Sequence, residues 1–356
     1  MCGNNVIAII GARPQFIKHF PFEVACDGKL NFKTIHTGQH YDSNMSQVFF
    51  DQLGMRKPDF SLNLGGGSHG QQTARMMLEI EKILELERPN GVVVYGDTNS
   101  TLAGALVAAK LHIPIFHIEA GLRSFNKEMP EEVNRVLTDH VSSLLFTPSK
   151  IAVENLKREG ITEGVNDVGD IMKDLVEMIK KKNILVNNSQ KESYYYVTIH
   201  RPYNTDDSKR LQNVLNCLNL LDKKVVMAIH PRTLSLMNSF NISKYSFTNI
   251  EFIEPQSYFS NLSYLIYSDG LITDSGGMQK EAYWLEKRCV TIRKETEWIE
   301  TITLKGNSLI FDNLDRLSYL VNDKPHTWDK SLYGNGTAAR QIVDVILSYL
   351  TKANAE

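Results

Sequence analysis

Short runs in which nearly every residue is apolar alternate along the whole chain with longer stretches whose apolar residues recur at three- and four-residue steps. "NVIAIIGARPQFIKHFPF" reads as strand, turn and helix, and further strands are predicted at "FKTIHTGQ", "GVVVYGD", "PIFHIEAG", "LLFTPS", "YYYVTIHRP", "KKVVMAIHPR", "NIEFIEP", "GLITDSGG" and "RCVTIR". Odd and even positions of these runs are apolar alike, so both faces of each strand are buried. That predicts parallel sheets covered by helices on each side. Helices are predicted at "HGQQTARMMLEIEKILELERP", "PEEVNRVLTDHV", "KIAVENLKREG", near "SKRLQNVLNCLNLL" and at "MQKEAYWLEK". The polar stretch "KKKNILVNNSQKES" (180–193) interrupts the alternation, which then restarts without obvious sequence repetition. The expectation is an α/β chain of two Rossmann-like domains with parallel sheets, at 1–170 and 171–337. Ligands on such sheets lie beyond the carboxyl ends of the strands, so the expected site is the cleft between the domains.

Composition changes this picture little. A chain of 356 residues is too long for one core and suits two domains of ordinary size. The 42% hydrophobic and 22% charged content is that of a soluble globular protein, and no apolar run approaches membrane-spanning length. "MCGNNVIAIIGARPQ" has a short apolar run without a basic flank, which reads as a first strand and not a signal peptide. A net charge of −2 argues against a nucleic-acid or membrane surface. Four scattered cysteines (Cys2, Cys26, Cys217, Cys289) form no CxxC pair, hence neither a disulfide framework nor a zinc site, and a cytoplasmic location is expected.

The predicted strand ends carry the chemistry. "HIEAGLRSFNKEMPEEVNR" (117–135) gathers carboxylates around a glycine turn and a proline. "GARPQ" puts Gly11 and Arg13 before a helix, where backbone N–H groups and a guanidinium meet an anion, and "TDSGGMQKEA" puts Ser275, Gly276 and Gly277 at another helix start. "TIHRP" and "AIHPR" deliver His200 with Arg201 and His230 with Arg232 at strand ends. Any one of these is more often a capped helix or a solvated charge; their recurrence at one structural position in both halves points to a bound diphosphate. Neither GxGxxG after a strand nor GxxxxGK[ST] occurs, which disfavours a Rossmann dinucleotide site and a P-loop.

With "GARPQFIK", "GDTNSTLAGALVA", "HIEAGLRS", "PEEVNR", "HRPYN", "HPRT", "DSGGMQKEA" and "RKETEWIE" in this order, the chain resembles the non-hydrolysing UDP-N-acetylglucosamine 2-epimerase family over nearly its whole length. The resemblance implies the two-domain GT-B architecture, with the C-terminal helix (338–356) packed back onto the first domain, and a homodimer. It implies a UDP-sugar substrate, no cofactor and no metal. The implied reaction eliminates UDP to a 2-acetamidoglucal and adds it back with the proton returned to the other face of C2. No carbonyl acidifies that proton, so C1–O cleavage must accompany its loss. The site therefore needs acid/base groups for both faces, negative charge near C1 and cations on the leaving diphosphate.

By resemblance, Asp97, Glu119 and Glu131 match the family's catalytic carboxylates, and His200 its active-site histidine beside the diphosphate. Arg13, His230, Ser275, Gly276 and Gly277 match the UDP-binding groups, Glu281 the acid that accepts the ribose hydroxyls, and Arg293 with Glu297 a segment bordering the nucleotide. The structural alternatives are specific. Asp97 would cap a helix, Glu131 would pair with Arg135, Arg123 would pair with Glu119, and His230 would satisfy a backbone carbonyl. Glu132 is assigned to the helix dipole.

Departures from the family pattern bear on the substrate. Pro202 and Tyr203 replace an arginine and a glutamate, and Gln15 stands where a glutamate is common. UDP-2,3-diacetamido-glucuronate, a 6-deoxy UDP-sugar, a hydrolysing 2-epimerase, a GT-B glycosyltransferase and a non-catalytic UDP-sugar sensor stay open as alternatives. The family's activator pocket uses two arginines. Here Tyr41 and Gln71 stand in their places, and Gln47 is one residue out of step with the pattern, which predicts weak activation by substrate.

Overall fold

The computed structural model describes residues 4–39, 54–182, 192–323 and 327–353, with Arg13 and Lys182 described by their backbone alone. Two compact units divide the chain, Met1–Met178 with Ser331–Glu356, and Ile179–Lys330. The first holds β1 (Asn5–Ile10), β2 (Asn31–His36), β3 (Phe60–Ser61), β4 (Gly91–Tyr95), β5 (Ile115–Ile118), β6 (Leu144–Thr147) and β7 (Val165–Asp167). They form one sheet in the order β3-β2-β1-β4-β5-β6-β7, parallel throughout. Every residue of β4 is buried, as an apolar run in the middle of a covered parallel sheet must be. The helices of this unit are α1 (Arg13–Cys26), α2 (His69–Glu87), α3 (Asn99–Lys110), α4 (Pro130–Val141), α5 (Lys150–Arg158) and α6 (Ile171–Lys182), the last reaching the division between units. Ile7, Ile9, Val92, Val94 and Ile115 of the sheet pack with Met76, Ile80 and Leu84 of α2 and Ala103 and Val107 of α3.

The second unit repeats the plan. Its strands β8 (Tyr194–Thr198), β9 (Lys224–Ala228), β10 (Ile250–Ile253), β11 (Gly270–Thr273), β12 (Arg288–Ile292) and β13 (Asn307–Ile310) are ordered β10-β9-β8-β11-β12-β13, again all parallel. Between them lie α7 (Pro202–Thr205), α8 (Ser208–Asn219), α9 (Pro231–Ser239), α10 (Tyr258–Tyr267), α11 (Gly276–Trp284), α12 (Ile299–Thr303) and α13 (Leu317–Asn322). The chain then returns to the first unit as α14 (Ala338–Ala353), which packs on α1. Its start is fixed by the buried Asp174 carboxylate of α6, which accepts the N–H groups of Ala338 and Ala339 at 3.1 and 2.7 Å. Burial pushes the Asp174 carboxyl up to about 6, against those two hydrogen bonds. No described helix is long and apolar enough to cross a membrane.

Strand order positions the candidate residues. In each sheet the chain runs outward from its first strand in one direction and then crosses to that strand's other side, at β1/β4 and at β8/β11. Adjacent strand ends diverge at such a switch point and leave a crevice for a ligand. Gly11 and Asp97 follow β1 and β4, while His200 and Ser275 follow β8 and β11.

Candidate active site

In the first unit the acids stand at the carboxyl ends of two paired strands. Tyr95 of β4 lies opposite Ile118 of β5, so Asp97 and Glu119 emerge side by side. Glu119 adopts φ +69°, a left-handed conformation that costs a non-glycine residue about 1–2 kcal/mol. Two hydrogen bonds hold it there, from the N–H groups of Glu119 and Ala120 to the Phe146 carbonyl at 3.1 and 3.0 Å. Its Oε2 accepts from Nζ of Lys18 on α1, in a pair whose side chains are 9% and 10% exposed. A Cβ at Gly96 would stand 3.1 Å from Glu119 Oε2 and 3.2 Å from Lys18 Nζ, so a glycine there leaves the pair its space.

Asp97 receives Arg135 Nη2 at 2.6 Å, and Asn134 donates to its backbone carbonyl at 2.9 Å. Burial raises the Asp97 carboxyl above its ordinary range. Arg135 and Lys18 oppose that shift, and the neighbouring negative charges of Glu119 and Glu131 add to it. Asp97, Glu119, Glu131, Lys18 and Arg135 therefore act on one another electrostatically. Glu131 is exposed in the first turn of α4.

The second unit gathers its residues around a buried acid. Asp274, fully buried, follows β11 and accepts from the backbone N–H of His200 at 3.0 and 3.1 Å, from that of Arg201 at 2.9 Å and from Asn204 Nδ2 at 3.1 Å. His200 Nδ1 lies 3.2 Å from Asp274 Oδ1, so the buried carboxylate that holds the His200 backbone also stands beside its imidazole. Burial lowers the His200 pKa; Asp274 opposes this, while Arg201 and His230 contribute to it. The rings of His200 and His230 are 5.8 Å apart. Ser275 caps α11 without a side-chain bond, and Gly276 and Gly277 open that helix. A Cβ at Gly277 would meet nothing within 4 Å, and one at Gly276 only Arg293 Nη1 at 3.6 Å. Protein packing alone does not demand either glycine. Arg293 makes a double contact with Glu297, 3.3 Å to each oxygen, and Glu281 is buried on α11.

Several expectations about partners are corrected. Asp97 is not a helix cap, because Thr98 caps α3 by accepting from Thr101 N–H. Arg123 does not pair with Glu119; it binds Asp139 at 2.7 Å and forks onto Glu159 at 2.7 and 2.6 Å. Among the described contacts, Arg135 meets Asp97 and Glu132 instead of the Glu131 carboxylate. Glu132 does lie 3.5 Å from Arg135, the pairing expected of a first-turn glutamate, but it is buried and also clamps Ser124 and Phe125 N–H at 2.8 and 2.9 Å. His230 accepts a 3.2 Å bond from Arg232 N–H at the start of α9. The first glycine turn is likewise occupied, for Gln15 Oε1 takes the amides of Gly11 and Ala12 at 2.7 and 3.0 Å. Gln15 Nε2 donates to the Tyr95 carbonyl and Thr101 Oγ1 at 2.9 and 3.0 Å, bonds that a carboxylate could not make. The Ser275 amide is also engaged, by Thr273 Oγ1 at 2.9 Å. The Arg13 guanidinium, Tyr41 and Gln47 lie outside what is described.

Sequence reasoning missed three functional candidates, Lys18, Arg135 and Asp274. A signal existed for two of them. Lys18 is a cation beside Phe16, Ile17 and Phe20 on a buried helix face, where a lysine must find a counter-ion. Asp274 directly follows a fully buried strand.

The family model described as UDP-N-acetylglucosamine 2-epimerase matches residues 23–347. The UDP-N-acetylglucosamine 2-epimerase of Methanocaldococcus jannaschii is 42% identical over 95% of this chain and 97% of its own. The UDP-2,3-diacetamido-2,3-dideoxy-D-glucuronate 2-epimerase of Pseudomonas aeruginosa is also 42% identical, over 96% and 99%. A crystal structure of the M. jannaschii UDP-GlcNAc 2-epimerase in complex with UDP-GlcNAc and UDP is 41% identical, covers 97% of this chain and 99% of its own, and aligns with a TM-score of 0.87.

Proposed function

The chain belongs to the UDP-N-acetylglucosamine 2-epimerase family, and from that premise we propose that it inverts C2 of a UDP-2-acetamido sugar, interconverting UDP-N-acetylglucosamine and its manno epimer. The observation that carries this is the contrast between two neighbouring carboxyls. Glu119 is paired with Lys18, while burial raises the Asp97 carboxyl above its ordinary range although Arg135 and Lys18 oppose it. Two neighbouring carboxyls in such different surroundings are suited to serve as an acid and a base.

Glu119 takes the C2 proton while the C1–O pair leaves with UDP, and the C2–H electrons become the C1–C2 double bond of the glycal. UDP then adds back to C1 as Asp97 delivers a proton to the opposite face of C2. In the reverse direction the two exchange roles. Glu131 adds negative charge for the cationic character at C1. His200, oriented by Asp274, serves the diphosphate with Ser275, Gly276, Gly277, Arg13 and His230, while Glu281 and Arg293 serve the nucleoside side.

In D2O the protein should convert UDP-N-acetylglucosamine to the manno epimer and place deuterium at C2 of both sugars. Formation of UDP and free N-acetylmannosamine alone would replace this reading with the hydrolysing one. The P. aeruginosa relative, equally similar, is named for a diacetamido-glucuronate. That UDP-sugar belongs in the same assay, and the larger kcat/KM decides the substrate.

A further inference from the structure

Behind the two strand-end acids lies a buried ionic chain that the reaction above does not use. His117 of β5 is fully buried, with Nδ1 2.7 Å from Asp139 Oδ1 and Nε2 2.7 Å from the Gly96 carbonyl oxygen. Asp139 Oδ2 accepts Gly121 N–H at 3.1 Å and Arg123 Nη1 at 2.7 Å. The chain continues through the Arg123 fork to Glu159, with the exposed His140 3.5 Å beyond. Its contacts fall on the backbone flanking each candidate acid. Gly96 precedes Asp97, and Gly121 closes the strained turn that carries Glu119.

Hydrogen-bond inventory determines the state of His117. A carbonyl oxygen only accepts, so Nε2 must carry a proton. Asp139 is an anion independently of His117, because the always-charged Arg123 guanidinium, itself buried, donates to its Oδ2 at 2.7 Å. With Oδ2 already taken by two donors, Oδ1 also only accepts, so Nδ1 carries a proton as well. A core histidine kept only for packing needs one donor; this one uses two.

We propose that His117 donates from both ring nitrogens, and that the His117–Asp139 pair is the positioning device that sets the Asp97 and Glu119 backbones relative to each other. One charge-assisted bond holds the Gly96–Asp97 peptide and the other, through Asp139, holds the turn after Glu119. The positioning role rests on Asp97 and Glu119 acting as the acid/base pair, whereas the charge state of His117 does not.

The test is Asp139→Asn. With its amide flipped, asparagine still accepts from Gly121 and Arg123 and donates to His117 Nδ1. His117 then becomes neutral but keeps Nε2–H on Gly96, so the bonds lose their charge assistance and hold the two backbones less firmly. In histidine-labelled wild type, 15N spectra should show both His117 nitrogens protonated, and in D139N the neutral Nε2–H tautomer. The variant's kcat should fall about tenfold or more, because sub-ångström misplacement of catalytic groups is felt at that scale, while UDP affinity changes less than about twofold. A neutral His117 in wild type overturns the proposal, as does a folded D139N with wild-type kcat. The wild-type spectrum needs neither variant nor substrate, and if D139N fails to fold, His117→Gln carries the kcat test with the same expected fall and the same overturning result. A wild type inert on every UDP-2-acetamido sugar overturns the epimerase reading, and the positioning role with it, independently of the spectrum.

Discussion

Glu119 and Asp97 occupy neighbouring positions but meet opposite partners, and their substitutions separate chemistry from binding. Glu119→Gln and Asp97→Asn should each lower kcat by about a hundredfold or more, the size of an acid/base contribution, and leave UDP affinity intact by calorimetry. Near-normal turnover of Glu119→Gln would reduce the residue to a structural partner of Lys18. His200 offers a second measurement. Its pKa lies below the ordinary 6.5 because it is buried, so it is neutral at pH 7 in the free protein, and a diphosphate beside it would raise that value. UDP binding should then take up a proton near neutrality and strengthen as pH falls, levelling off below the free-state pKa. Calorimetry in buffers of contrasting ionisation enthalpy reads the uptake. Comparison with His200→Asn removes the ionisation of UDP itself, and equal uptake in both proteins would exclude the histidine. The acids and the histidine were legible in sequence because they sit in ordered motifs at strand ends. Their partners were not, since the contacts of Lys18 with Glu119 and of Asp274 with His200 span 101 and 74 residues of chain and exist only once the sheets are formed.

Among the elements, the interior strands and most of the longer helices were readable, because buried runs and three- and four-step periodicity leave strong patterns; α6, which runs into the polar stretch, was not. The edge strands β7 and β13 were not. "VND" and "NSLI" are short and largely polar, and each lies at an edge of its sheet. The helix α10 was also missed: "YFSNLSYLIY" is aromatic-rich, and its last apolar residues merge with the strand that follows. The start of α2 bears on regulation. Gln71 closes a capping box, accepting from Ser68 N–H and donating its own N–H to Ser68 Oγ, each at 3.4 Å. A neutral side chain already folded back onto its helix end is a poor replacement for a guanidinium fork on a phosphate. Reverse-direction initial rates should therefore rise hyperbolically with UDP-N-acetylmannosamine. A lag or sigmoid abolished by traces of UDP-N-acetylglucosamine would show that an activator site survives the replacement of its arginines.

At the scale of the molecule, each unit brings its candidate residues to the point where its strand order reverses, and no local pattern in a sequence reports strand order. The second unit has its own core, built from Val197, Leu215, Val225, Ile272 and Val290 among others, and the proposed diphosphate groups all follow its β8, β9 and β11 except Arg13. UDP should therefore be felt first in that unit. Binding to the folded state alone adds RT ln(1 + [L]/Kd) to stability, about 2.7 kcal/mol at a hundredfold excess over Kd. The backbone amides expected to slow in hydrogen exchange are those whose opening would release the ligand, 198–204 around the His200–Asp274 junction and 274–281 along the start of α11. The 95–99 and 117–121 segments should slow less with UDP than with the intact UDP-sugar, because the acids there are assigned to the sugar ring. Protection by UDP confined to the 95–121 region would place the nucleotide on the acids and reverse the assignment of the two units.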